Sequence, residues 1–289
     1  PRPEPQGNWQ DEGNYDTGWY SNTPYEISTA QELAGLAKLV SDGNAFEGET
    51  ISVTGNIDLG NHYWTPIGMS QGDSPFLGTF DGRNCTVSNI IMMDARNSGA
   101  YGGLFGINLG TIKNVKVRDV LISVNNSGNN THSWVGGLAG YNFTGTITNC
   151  TATGSVSTSA NAYSAYAGGL VGINRGGTIV DCRDVNVIVH AAFTGAIPSG
   201  VCAGGFVGKN DGAGTITNCS AIGADISTSA DIAEGIAEGF AKDTNKVRAT
   251  GKFAGLVDTN STLSGNKANG TPRVGWDRRL DSPAPSDDI

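Results

Sequence analysis

Ala167-Gly168-Gly169-Leu170-Val171-Gly172-Ile173-Asn174-Arg175-Gly176-Gly177-Thr178-Ile179-Val180-Asp181-Cys182 decides the reading of this chain, because it recurs. Tyr101 to Val115 carries one copy, with Gly102-Gly103-Leu104-Phe105-Gly106-Ile107-Asn108. Val135 to Cys150 carries a second, and Ala203 to Cys219 a third. A worn copy follows at Ala254-Gly255-Leu256-Val257-Asp258-Thr259-Asn260. The lead glycines 102, 136, 168 and 204 are spaced by 34, 32 and 36 residues. Self-similarity at such a period marks stacked supersecondary units, each burying its apolar face on the next.

The residue types say which unit is stacked. Each copy is rich in glycine and β-branched residues and poor in helix formers, which points to strands joined by tight corners. The expected fold is all-β, a right-handed parallel β-helix with a short N-terminal capping helix; its hand follows the crossover rule. Leu104, Leu138, Leu170, Phe206 and Leu256 form one predicted inward ladder, and Ile112, Ile147, Ile179, Ile216 and Leu263 a second. Val115, Cys150, Cys182 and Cys219 form a third. Asn108, Asn142, Asn174, Asn210 and Asn260 make an asparagine ladder whose stacked amides hydrogen-bond up the column, at a residue that tolerates the left-handed region. Asn114, Asn149, Asp181 and Asn218 are placed at a second corner. The paired glycines are read as corners where positive φ and close backbone approach are cheap.

Composition narrows the function classes. Glycine supplies 43 of 289 residues and the net charge is −9. An acidic chain with few basic residues is a poor binder of nucleic-acid backbones and of anionic membranes. No run of about 18 apolar residues is present, so direct membrane insertion is not expected. The opening Pro1-Arg2-Pro3 reads as a processed or excised piece of a larger protein. Residues 1–23 read as an N-terminal segment or linker, 24–269 as one β-helix domain, and 270–289 as a tail or linker. The copies fall near 101–115, 135–150, 167–182, 203–219 and 253–266. Before them, Thr29 with Glu32 makes a capping box for a helix whose Leu33, Leu36, Ala37 and Val40 share a face. Phe76 to Met92 reads as a first, divergent coil, and Asp231 to Phe240 as a short inserted helix.

The Gly-Leu-(Val/Phe)-Gly core, at Gly169-Leu170-Val171-Gly172 and Gly103-Leu104-Phe105-Gly106, resembles the GLUG motif. The preceding Asp58-Leu59-Gly60, Trp64-Thr65-Pro66-Ile67-Gly68 and Gly78-Thr79-Phe80-Asp81-Gly82 resemble the segment before such repeats in bacterial surface proteins. The resemblance implies a β-helix at the cell surface or secreted, as in adhesin-like proteins and non-catalytic regions of IgA-cleaving metallopeptidases. It carries no activity with it, since fold does not imply function.

Candidate chemistry is sparse. Cys150, Cys182 and Cys219 read as small core residues, and Cys85 with Cys202 can pair only within about 7 Å between Cα atoms. His62, His132 and His190 show no metal-binding spacing, and His132 reads as a solvated loop residue. Asp119, Asp184 and Asp225 do not sit at matched offsets, so a catalytic carboxylate cluster is not expected. Thr111, Thr146, Thr178 and Thr215 stack, but the partner column is broken by Lys113 and Val180. Trp134, Tyr141, Tyr163 and Tyr166 cluster near the loops of two coils and are the candidate binding residues, for a host or matrix glycan or protein ligand. No cofactor and no metal is expected. The reading is a structural or adhesive module; a glycan-active β-helix enzyme and an accessory domain of a surface metallopeptidase are the alternatives.

Overall fold

The computed structural model describes residues 4–60, 62–68, 74–94, 100–126, 132–161, 164–193, 200–230, 248–251, 254–257, 260–264 and 266–274. Its strands wind a parallel β-solenoid of about five turns. From residue 100 on, each of five successive turns contributes to four stacked sheets, the earlier strands join only the first two, and every strand register is parallel.

The first sheet has eight strands and runs from Tyr25–Ile27 through Thr50–Val53 and Thr79–Asp81 to Thr262–Ser264. It stacks Ile51, Phe80, Ile112, Ile147, Ile179, Ile216 and Leu263 in register. Phe76 to Met92 is thus a coil of the solenoid. The second sheet holds the long strands, among them Lys116–Asn126, Thr151–Ala160 and Ser220–Ala230. Lys267–Val274 pairs with the last of these, so regular pairing continues past residue 269. The third, or aromatic, sheet stacks Ala100–Gly102, Ser133–Gly136, Ser164–Gly168, Gly200–Gly204 and Arg248–Gly251. The fourth, or asparagine, sheet stacks Phe105–Asn108, Ala139–Phe143, Val171–Arg175, Val207–Asp211 and Ala254–Val257.

The helix forms where expected, Ala30–Ser41, with both halves of the Thr29–Glu32 capping box in place. Leu33, Leu36, Ala37 and Val40 are buried in the same core as Ile27 and Ile51, at the N-terminal end of the stack. Residues ahead of it dock as well. Trp9 and Trp19 are buried, and their indoles donate to the carbonyls of Leu59 and Glu32 at 3.1 Å each. The two tryptophans of the N-terminal segment are therefore spent on packing, while Tyr20 is exposed. The expected helix at Asp231 to Phe240 lies outside the described residues.

Three expectations need correcting. The glycine pairs between the third and fourth sheets do not adopt positive φ. What they and the following glycine provide is closeness. A β-carbon at Gly140 would lie 2.7 Å from the Trp134 carbonyl oxygen, and one at Gly172 would lie 2.7 Å from the Val135 nitrogen. Any side chain there would push the aromatic and asparagine sheets apart. The left-handed backbone belongs instead to Asn114, Asn149, Asp181 and Asn218, at φ 57°, 52°, 55° and 55°. Finally, Ala254 and Leu256 pair with Val207 and Lys209, and Val257 with Asn210. Gly255 is therefore the counterpart of Gly208, Leu256 takes the register position of Lys209, and Val257 rather than Asn260 takes that of the asparagine ladder; Asp258 lies outside the described residues.

The asparagine ladder forms in four coils. Asn108, Asn142 and Asn174 each donate Nδ2 to the Oδ1 of the next asparagine at 2.7 Å. Asn142, Asn174 and Asn210 also donate to the carbonyls of Gly145, Gly177 and Gly214 at 3.0 Å. The polarity leaves Asn108 Oδ1, at the start of the row, buried without a partner. The cysteine column is likewise structural. Cys150 N–H donates to Cys182 Sγ at 3.3 Å and Cys182 N–H to Cys219 Sγ at 3.4 Å, and all five cysteines are free thiols.

Candidate binding site at the mouth between two sheets

The close approach at Gly140, Gly172 and Gly208 fixes where side chains can stand. On the aromatic sheet, Val135, Ala165 and Ala167 face the core, so Trp134 and Tyr166 between them face out by strand alternation. These two occupy one register position, flanked by Tyr101 and Cys202. On the asparagine sheet the facing column reads Ile107, Tyr141, Ile173 and Lys209, and the outermost reads Phe143, Arg175 and Asp211. A depression of about 230 Å³ lies between the two walls, lined by His132, Trp134, Ser164 and Tyr166 on one side and by Tyr141, Ile173, Arg175, Lys209 and Asp211 on the other.

Three of the four candidate aromatics meet here. Trp134 lies 5.0 Å from Tyr141, edge to face, and 6.4 Å from Tyr166 in a parallel stack. Tyr163 lies outside the described residues. Tyr166 is only 8% exposed and joins Ile173 and Cys202 in a small apolar cluster separate from the main core. That cluster is the floor of the depression, while the half-buried Trp134 and Tyr141 form its rim.

The polar groups are organised around the same rings. Trp134 Nε1 donates to Ser164 Oγ at 3.0 Å, and His132 Nδ1 shares a hydrogen bond with that hydroxyl at 2.7 Å. His132 is thus a packed residue of the site and not a solvated loop residue. Burial, helped by the nearby Lys209 charge, lowers its pKa and keeps the ring neutral at neutral pH. Burial raises the pKa values of Tyr141 and Tyr166, so both stay protonated phenols. Lys209 Nζ pairs with Asp211 at 2.9 Å and stands 5.6 Å from the centre of the Tyr166 ring. Asp211 Oδ1 is buried without a hydrogen-bond partner. Arg175 is exposed at the rim, close to Tyr141.

Ser164, Arg175, Lys209 and Asp211 were not singled out in the sequence. A signal existed. Along the motif, the positions on either side of the repeated Asn change from coil to coil while the Asn does not, which marks Arg175, Lys209 and Asp211 but not Ser164. Asp119, Asp184 and Asp225 form no site: Asp119 and Asp225 are exposed, and Asp184 is wholly inside the solenoid. Among the described residues, no group of three His, Cys, Asp or Glu side chains has metal-binding geometry.

Residues 133–157 and 199–227 match the family model of the GLUG motif. Halomucin from Haloquadratum walsbyi is 29% identical over 146 residues, which is 47% of this chain and 1% of halomucin. The chain thus spans a very small part of the curated relative it matches. A Bacteroides ovatus protein provisionally described as an immunoglobulin A1 protease superposes with a TM-score of 0.40 and 17% identity, over 82% of this chain and 84% of its own. On the matched motifs and the stacked sheets, the chain is a β-solenoid that carries the GLUG motif at residues 133–157 and 199–227.

Proposed function

We propose that the chain is a non-catalytic extracellular module of structural or adhesive type, and that the mouth between its two sheets is the contact point for a glycan. The observation that carries this reading is the rim of Trp134 and Tyr141 beside a row of hydrogen-bonding groups. Aromatic faces stack on the apolar faces of sugar rings, and polar neighbours bind the ring hydroxyls. Among the described residues one carboxylate, Asp211, lines the depression, and it is tied to Lys209. Hydrolysis of a glycosidic bond ordinarily needs two carboxylates, so the geometry favours holding a sugar over cutting it. The likeness to halomucin supports a surface setting; the ligand, in this reading, is presented by a host cell or matrix.

A glycan array probed with the full chain tests this. Binding to a defined sugar class, reduced at least about tenfold by Trp134→Ala, is the expected result. Absence of binding across the array, or cleavage of the bound glycan, overturns it.

A further inference from the structure

We propose that the depression selects a sugar ring bearing a carboxylate. The inference rests on the glycan reading above and adds the charge of the ligand.

The chain as a whole is strongly acidic, with a net charge of −9. The depression is not. Arg175 and Lys209 stand against one carboxylate, Asp211, and His132 is neutral at neutral pH, so the local balance is one positive charge. Lys209 is already engaged by Asp211 and by the Tyr166 ring. Arg175 has no carboxylate within ion-pair distance among the described residues, and it is exposed at the rim next to Tyr141. A guanidinium offers a planar fork that matches a carboxylate with two parallel hydrogen bonds. Packing a Lys–Asp pair beside it limits the site to one added negative charge, because a second would face the Asp211 carboxylate.

Size agrees with a single ring. The depression of about 230 Å³ is smaller than the roughly 300–1,000 Å³ of sites that enclose drug-sized ligands. One pyranose fills it, stacked against Trp134, with its ring substituent turned toward Arg175 on the opposite wall. The rest of an oligosaccharide would run out over the surface.

The test uses the full chain and titration calorimetry. The probes are oligosaccharides ending in glucuronate, galacturonate or N-acetylneuraminate, the carboxyl-reduced counterpart of each, and sulfated neutral sugars. At least one acidic probe is expected to bind about tenfold or more tightly than its reduced counterpart, the size of one charge-assisted contact. Arg175→Gln should collapse that ratio toward one, and added salt should narrow it. Lys209→Met, at the neighbouring cation, gives a second variant should the first misfold. Equal affinity for acidic and reduced probes overturns the carboxylate inference and leaves the glycan reading standing. Preference for the sulfated probes also overturns it. Binding to none of the probes removes both.

Discussion

Two neighbouring columns on one sheet behave oppositely. Asn108, Asn142, Asn174 and Asn210 occupy the same register position in four coils and never change. The column one residue earlier reads Ile107, Tyr141, Ile173 and Lys209, different at nearly every coil. The asparagines face inward, where each amide bonds to the next from coil to coil, until Val257 takes the register position in the last coil. The adjacent residues face the mouth, where a coil need only avoid clashing with the aromatic sheet. Repetition marks what holds the solenoid together, and variation marks what is free to recognise a ligand.

The difference is open to breakage, and the scaffold should break hardest. Gly172→Val places side-chain atoms against the backbone of Gly140 and Val135, and is expected to cost about 3 kcal/mol or more by chemical denaturation. A loss below 1 kcal/mol would show that the two sheets are not locked by close approach. Asn174→Ala removes bonds to Asn142, Asn210 and Gly177 inside the protein, and should cost about 2–3 kcal/mol. Ile173→Val, at the neighbouring position in the mouth, should cost about 1 kcal/mol. Similar losses at Asn174 and Ile173 would erase the contrast.

One residue breaks the scaffold's own rule. Asp184 sits in the inward column of the second sheet between Ala152 and Ala221, at 0% exposure, and neither carboxyl oxygen has a hydrogen-bond partner. Burial, with the Cys219 thiol adding to it, pushes its pKa well above the ordinary carboxyl range. In the unfolded chain it ionises near pH ~3.9. Above that pH the unfolded chain has lost a proton that the folded chain keeps, so stability falls as pH rises, by up to ~1.4 kcal/mol per unit until the folded group ionises. Asp184→Ala restores the residue of the adjacent coils. It should stabilise the protein by about 1–2 kcal/mol at pH 5 and by more at pH 8. A gap that does not grow with pH contradicts a proton-holding Asp184. The cap ranks with Ile173→Val at the small end: Thr29→Ala should cost about 1 kcal/mol through loss of the bond to Glu32 N–H.

The solenoid was legible because a repeating unit states its inward positions several times over, and the helix because its cap and its stripe agree. Reading failed where repetition fails. The last copy was misplaced by its own resemblance: Ala254-Gly255-Leu256-Val257 looks like the start of a motif, yet pairing makes Gly255 the motif's third glycine. The site was half legible. Trp134, Tyr141 and Tyr166 announce themselves by type, but Arg175, Lys209 and Asp211 meet them only because two sheets fold face to face. The burial of Asp184 was not legible, since no pattern of hydrophobic residues predicts a carboxyl group inside a core.

The account stands most directly on one paired measurement of Trp134→Ala: thermal midpoint and glycan binding on the same preparation. Trp134 is half-buried at the rim and makes no bond in the asparagine ladder. The prediction is that glycan binding drops by at least about tenfold while the midpoint moves by only a few degrees. Unchanged binding, or a midpoint that collapses as far as that of Asn174→Ala, would contradict the division between a repeated scaffold and a variable, ligand-binding mouth.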